Sequence, residues 1–186
     1  MLLFIFFYQP ALPPVVSDEV RERSPVYYKK GAYLMDIKRI QSINALSQYQ
    51  DQILTLWNEN ALEMADVALE ADEQANIAKQ LQQMADSRYG ALFVALKEQR
   101  VAGYALATIQ KDLVTDSLYG LFDEIFVMKA YRRQHTAKQL IREIRAWFHT
   151  QAVSPVHVHV ALDNERARKM FEHNGFSPEF VLLSED

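Results

Sequence analysis

Helices packed on both faces of one mixed β-sheet form the fold class the sequence predicts, an α/β architecture in the order β-α-α-β-β-β-α-β-α-β. Three observations lead there. Four stretches repeat apolar residues at three- and four-residue spacing, short apolar runs of strand character lie between them, and 49% of the 186 residues are hydrophobic, enough to fill one core. The chain has no cysteine, which excludes disulfides, thiolate metal sites and a cysteine nucleophile.

Residues 1–32 read as a poorly structured arm and residues 33–186 as the folded domain. Pro10, Pro13, Pro14 and Pro25 interrupt regular structure in the arm. Its opening run MLLFIFFYQP lacks a basic leading region and is too short to span a bilayer, so neither an export signal nor a membrane span is expected. Because the domain-like pattern begins near Met35, that methionine is the expected natural start and the segment before it an over-extended reading frame.

The first strand is expected over Tyr33 to Ile40. Leu46, Tyr49, Ile53, Leu56 and Trp57 then trace one face of a helix, and Ala71, Ala75, Ala78, Leu81 and Met84 trace another. ALFVALKE and RVAGYALATIQ, joined by a polar turn at Glu98 to Arg100, predict a hairpin, and LYGLFDEIFVM adds a third strand. A helix follows with Ala137, Leu140, Ile141, Ile144, Trp147 and Phe148 on its stripe, then the short strand VHVHVA. The last helix starts at Asn164 as N-cap and ends at Gly175, and FVLL closes the chain as a strand. Trp57 and Trp147 are expected in the core. His157 and His159 share a strand face, but no third ligand is apparent, so no metal is expected.

The chemistry concentrates where the third strand of that group runs into Tyr131-Arg132-Arg133-Gln134-His135-Thr136-Ala137-Lys138 and a helix begins. The first N–H groups of a helix have no carbonyl partner and lie at the positive end of its dipole, so this junction suits an anion, with Arg132, Arg133 and Lys138 adding charge. A solvated basic turn capping a helix is the alternative reading of the same spacing.

The segment resembles the cofactor loop of the GNAT N-acetyltransferase superfamily, whose Arg/Gln-x-x-Gly-x-Gly/Ala pattern stands here as Arg132-x-x-His135-x-Ala137. Downstream, V-x-V-x-V-x3-N-x2-A-x3-F-x3-G-F from Val156 to Phe176 resembles the family's second signature. The resemblance, closest to diamine and other amine acetyltransferases, implies a mostly antiparallel central sheet and acetyl-CoA as cosubstrate. It also implies direct transfer to a primary amine, carried by a small molecule or a peptide. Backbone groups of Ile125, Phe126 and Val127 would pair with the pantetheine arm. Those of Arg133, Gln134, His135, Thr136, Ala137 and Lys138 would hold the pyrophosphate, with Arg132 beside them, and Asn164 would lie near the thiol end.

Removing the amine's proton requires a base, and Asp123 is the first candidate, with Glu124 the second. Simple pleating would send these neighbours to opposite faces. Two residues depart from the family pattern: His135 stands where glycine is usual, and Phe171 where many members carry a tyrosine that protonates the thiolate. Those departures leave a non-catalytic acyl-CoA-binding module as the rival reading. The connection carrying Glu59, Glu63, Asp66, Glu70, Asp72 and Glu73 has no basic residue and either attracts a cationic acceptor or is an ordinary solvated surface. The net charge of −4 argues against a nucleic-acid partner. A cytoplasmic location is expected, and homodimer formation stays open.

Overall fold

The computed structural model describes residues 35–181 and 183, so the arm and the reading-frame expectation before Met35 lie outside the described residues. Strand β1 (Asp36–Ile40) leads into helices α1 (Ile43–Ser47), α2 (Gln50–Ala65) and α3 (Ala71–Ala85). Strands β2 (Gly90–Lys97), β3 (Arg100–Lys111) and β4 (Leu118–Val127) follow, then a short 3₁₀ turn at Lys129–Tyr131, α4 (Thr136–Thr150), β5 (Val156–Val158) and α5 (Glu165–His173). The five strands lie in sequence order, antiparallel from β1 to β4, with β5 parallel to β4. The mixed, mostly antiparallel sheet is therefore as the sequence predicts. No helix among the described residues is long and apolar enough to cross a membrane.

Two cores sandwich the sheet. On one face Leu46, Ile53, Leu56, Ile77 and Leu81 from α1, α2 and α3 meet Leu92, Val94, Tyr104, Leu106 and Phe126. On the other, Leu140, Ile141, Ile144 and Phe148 of α4 and Phe171 of α5 meet Phe93, Ala105, Ile109 and Phe122. Covered on both faces, β2 and β3 read as nearly continuous apolar runs. Trp147 is buried, and half-buried Trp57 stacks on Tyr104 with ring centroids 5.2 Å apart.

Three details differ from the sequence expectation. The first helical stretch is two helices, because Ser42 caps a short α1 and Tyr49, itself buried, turns the chain into α2. Helix α3 buries Ile77, Leu81, Met84 and Ala85 and leaves Ala71 and Ala75 exposed; one isoleucine outweighs several small methyl groups in setting its rotation. Around FVLL, Phe180 and Val181 are exposed and belong to no strand, and Leu182 lies outside the described residues.

The fourth difference positions the site. In β4, Glu124 stands opposite Leu106 and Phe122 opposite Ala107, so Asp123 is an extra residue, a β-bulge. Phe122 and Phe126, four residues apart, should share a face under regular pleating. Instead Phe122 joins the α4-side core and Phe126 the α2-side core.

A candidate acetyl-transfer site

The bulge brings two acids together. Glu124 follows the parity of Phe126 and faces α2, where its Oε1 accepts a hydrogen bond from Asn60 Nδ2 at 2.8 Å. Asp123 follows the parity of Leu121 and faces the same side, its Oδ1 accepting from Thr108 Oγ1 at 3.1 Å. The expectation that pleating would send the pair to opposite faces is thus corrected, since an inserted residue resets the alternation.

Burial sets the protonation of this pair. Desolvation raises Asp123 to about 7, opposed by the Thr108 hydrogen bond. Glu124 is raised to about 7, again chiefly by desolvation; Asn60 and the Ile125 N–H pull it down, and the Asp123 charge pushes it up. Asp123 Oδ2 is buried with no hydrogen-bond partner among the described residues. The buried Tyr104 hydroxyl completes the group: Asn60 approaches it short of good hydrogen-bond geometry, and burial with the nearby Glu124 charge holds the phenol well above 10. Gln110 Nε2 donates to Thr108 Oγ1 at 2.9 Å, extending the polar set toward a half-buried position.

The open edge of β4 runs away from these acids. Strand β5 pairs with β4 only from Gly120 to Phe122, so beyond the bulge that edge has no strand neighbour. Met128 N donates to Ala102 O on β3; counting back, the amide groups of Phe126 also face β3 while those of Ile125 and Val127 face the open side. Of the three residues expected to pair with an extended ligand, the alternation presents Ile125 and Val127 and turns Phe126 inward.

At the end of this edge lies the loop. Arg133 and His135 adopt left-handed backbone with φ of 60° and 62°, so His135 holds the conformation that glycine takes without strain. Thr136 is buried and bonds its hydroxyl to Tyr131 O, anchoring the start of α4. The backbone N–H groups of residues 133–138 donate to no group among the described residues, and they form a run of donors at a helix N-terminus. Arg133 and Lys138 are exposed and make no ion pair among the described residues. An open strand edge ending in free amide donors and mobile cations fits a ligand with an amide-bearing arm and a pyrophosphate, as coenzyme A has.

Arg132 differs. Its guanidinium grips Glu63 through two bonds of 2.9 and 2.7 Å, its Nε donates to Val127 O at 2.7 Å, and it lies over the Phe126 ring. Asn164 lies across the edge: its Oδ1 caps α5 by accepting from Ala167 N, and its Nδ2 contacts Met64 Sδ at 3.7 Å. Glu63, Met64, Asp163, Asn164, Glu165 and Arg166 line an open cleft of ≈ 300 Å³ there.

A family profile described as the acetyltransferase (GNAT) family matches residues 51–176. The chain belongs to that family. Among solved structures, a GNAT-fold aminoglycoside acetyltransferase from an uncultured soil metagenomic sample, in complex with trehalose, superposes with a TM-score of 0.66 at 18% identity, covering 82% of this chain and 95% of that one. AAC(6')-Iy in complex with the bisubstrate analogue CoA-S-monomethyl-acetylneamine gives 0.64 at 21% identity, covering 82% and 97%. A ribosomal-protein-alanine N-acetyltransferase from Brucella melitensis biovar Abortus 2308 gives 0.65 at 17% identity, covering 83% and 99%. Identities this low speak to the shared GNAT fold alone. Curated protein sequences give no significant match.

Within that fold, the residues singled out from sequence divide by position. Asp123 and Glu124 form the inner cluster, Ile125 and Val127 the open edge, and residues 133–138 the run of free donors at the start of α4. Sequence reasoning missed Asn60, Tyr104 and Thr108. Thr108 had a usable signal, as the one polar side chain in the run ALATI. The acidic connection is also less available than its composition implies, since Glu63 is ion-paired and Glu73 Oε2 accepts from Glu70 N in a helix cap. Glu59, Asp66 and Asp72 remain exposed. His157 faces Glu179 at 3.3 Å and Tyr119, packed instead of solvated.

Proposed function

We propose that this chain transfers an acetyl group from acetyl-CoA to a primary amine by direct attack within a ternary complex. The observation that carries this reading is the buried acid pair at the inner end of a strand edge that leads to free helix-terminal donors. Acetyl-CoA supplies the thioester. Ile125 and Val127 offer backbone groups to its pantetheine arm, and residues 133–138 offer N–H groups to its pyrophosphate.

An amine attacks only when neutral. Asp123, with one buried unpartnered oxygen and a pKa near 7, is suited to accept its proton at neutral pH. The nitrogen lone pair forms the new C–N bond, the C–S bond breaks, the nitrogen gives its second proton to solvent, and the sulfur departs as thiolate. Phe171 is buried against Phe122 and Phe176, so it anchors α5 in the core and gives the thiolate no proton. Solvent supplies that proton in this reading. The same observation favours the second reading, an acyl-CoA-binding module without turnover.

Calorimetry with CoA and thiol release from acetyl-CoA together separate these readings. The amine panel should include diamines, an aminoglycoside and a peptide with N-terminal alanine. Turnover with any acceptor supports the enzyme, and binding without turnover supports the module. Absence of CoA binding would overturn both.

A further inference from the structure

Glu63 occupies an unusual position. Helix α2 packs on one face of the sheet and α5 on the other, yet the Glu63 carboxylate at the end of α2 reaches both Arg132 and Arg166. Oε1 accepts from Arg132 Nη1 at 2.9 Å and from Arg166 Nη1 at 2.6 Å, and Oε2 accepts from Arg132 Nη2 at 2.7 Å. Lys129 Nζ stands 4.0 Å away. The carboxylate is largely shielded, with 16% side-chain exposure, while Arg166 is exposed. These bonds therefore pass around the free edge of β4, joining elements 69 and 103 residues apart in sequence.

Arg132 carries the connection inward. Its Nε holds the carbonyl of Val127, the last residue of β4 and one of the two whose amide groups face the open edge. With each of its three guanidinium nitrogens donating a hydrogen bond, Arg132 is placed to fix where the strand ends and the anion loop begins. Arg133 and Lys138, by contrast, are free to meet phosphate.

Resting on the acetyl-CoA reading above, we propose that Glu63 is a positioning residue that braces the cofactor cradle through Arg132 and Arg166 and ties it to helix α2. Simple electrostatics predicts the opposite sign for its removal. Deleting an anion beside a polyphosphate, and releasing two arginines toward it, should tighten CoA binding. A lost brace weakens it, because the donors along β4 and the loop no longer hold one arrangement.

The test is calorimetric titration of full-length wild type, Glu63→Gln and Arg132→Lys with CoA, each at low and moderate salt. The brace predicts about tenfold weaker binding for Glu63→Gln, with a salt dependence like that of wild type because no phosphate contact is lost. Arg132→Lys keeps the charge and loses the fork, so it should weaken binding comparably. With a turned-over acceptor, donor KM should rise while kcat changes little. Equal or tighter binding by Glu63→Gln, or unchanged binding by Arg132→Lys, overturns the brace while leaving the acetyl-CoA reading intact. Should Glu63→Gln fail to fold, Arg132→Lys and Arg166→Gln decide by the same criterion. If wild type itself does not bind CoA, the acetyl-CoA reading falls and the brace with it.

Discussion

Two sets of shielded carboxylates sit at opposite ends of one strand edge, and the protein treats them in opposite ways. At the rim, Glu63 lies among arginines, and their hydrogen bonds and charges hold it at about 2 despite its burial. At the floor, Asp123 and Glu124 meet neutral hydrogen-bond donors, and desolvation lifts both to about 7. Burial alone therefore does not set the protonation of an acid; what lies beside the buried group does. The rim acid suits a structural strut that stays charged. The floor acids suit proton transfer, which needs a group able to change its charge near neutral pH.

The contrast breaks most sharply at Asp123. Asp123→Asn should lower turnover by ~10²–10⁴-fold with CoA affinity nearly unchanged, and Glu124→Gln, whose carboxyl is already held by Asn60, should lower it less. Steady-state kinetics from pH 6 to 9 check this; wild-type activity in Asp123→Asn would remove the acid from the reaction.

Stability should separate the two ends next. Glu63 is depressed in the folded state, so its contribution is present above ~4.5 and lost as pH falls toward 2. Asp123 and Glu124 are raised, so the folded state binds protons that the unfolded chain has released between roughly pH 4 and 7, and stability falls as pH rises through that window. Denaturation at pH 8 should show Glu63→Gln less stable by about 1–3 kcal/mol and Asp123→Asn or Glu124→Gln more stable by about 1–2 kcal/mol. A stabilised Glu63→Gln would erase the distinction.

Effects confined to cofactor binding belong to the loop at the end of that edge. Arg133→Gln or Lys138→Gln should weaken CoA binding by about 1.5–3 kcal/mol where the contact is well formed, with a reduced salt dependence in calorimetry. His135→Gly should tighten CoA binding by up to ~1.4 kcal/mol, because the backbone at φ 62° costs glycine nothing and no imidazole then crowds the donors. Weaker binding in His135→Gly, most marked at pH 5.5, would make the imidazole a phosphate ligand.

Much of the frame was legible in the sequence because the periodicities are strong: β2, β3 and α4 stand where their apolar patterns put them. The loop was legible for a different reason, that a strand feeding a helix start leaves donors free whatever the side chains. The pairing of Asp123 with Glu124 was not. It depends on where β3 and β4 fall out of register, a property of two strands read together, and one strand's alternation carries no trace of it. Nor could Glu63 be distinguished from the five other acids of its segment, since its partners lie 69 and 103 residues away.

The bulge at Asp123 acts on the strand as a frameshift acts on a reading frame. Upstream of it odd-numbered residues look toward α2, and downstream even-numbered ones do, yet the bulge absorbs the shift and the residues on either side keep consecutive partners on β3. Deleting Asp123 would therefore do more than remove an acid. Glu124 would then follow Phe122 directly, and Ile125, Phe126 and Val127 would keep both their faces and their partners on β3 in a strand without the bulge. Substitution and deletion at this one position are different experiments, the first editing the chemistry and the second also removing the bulge while the register holds.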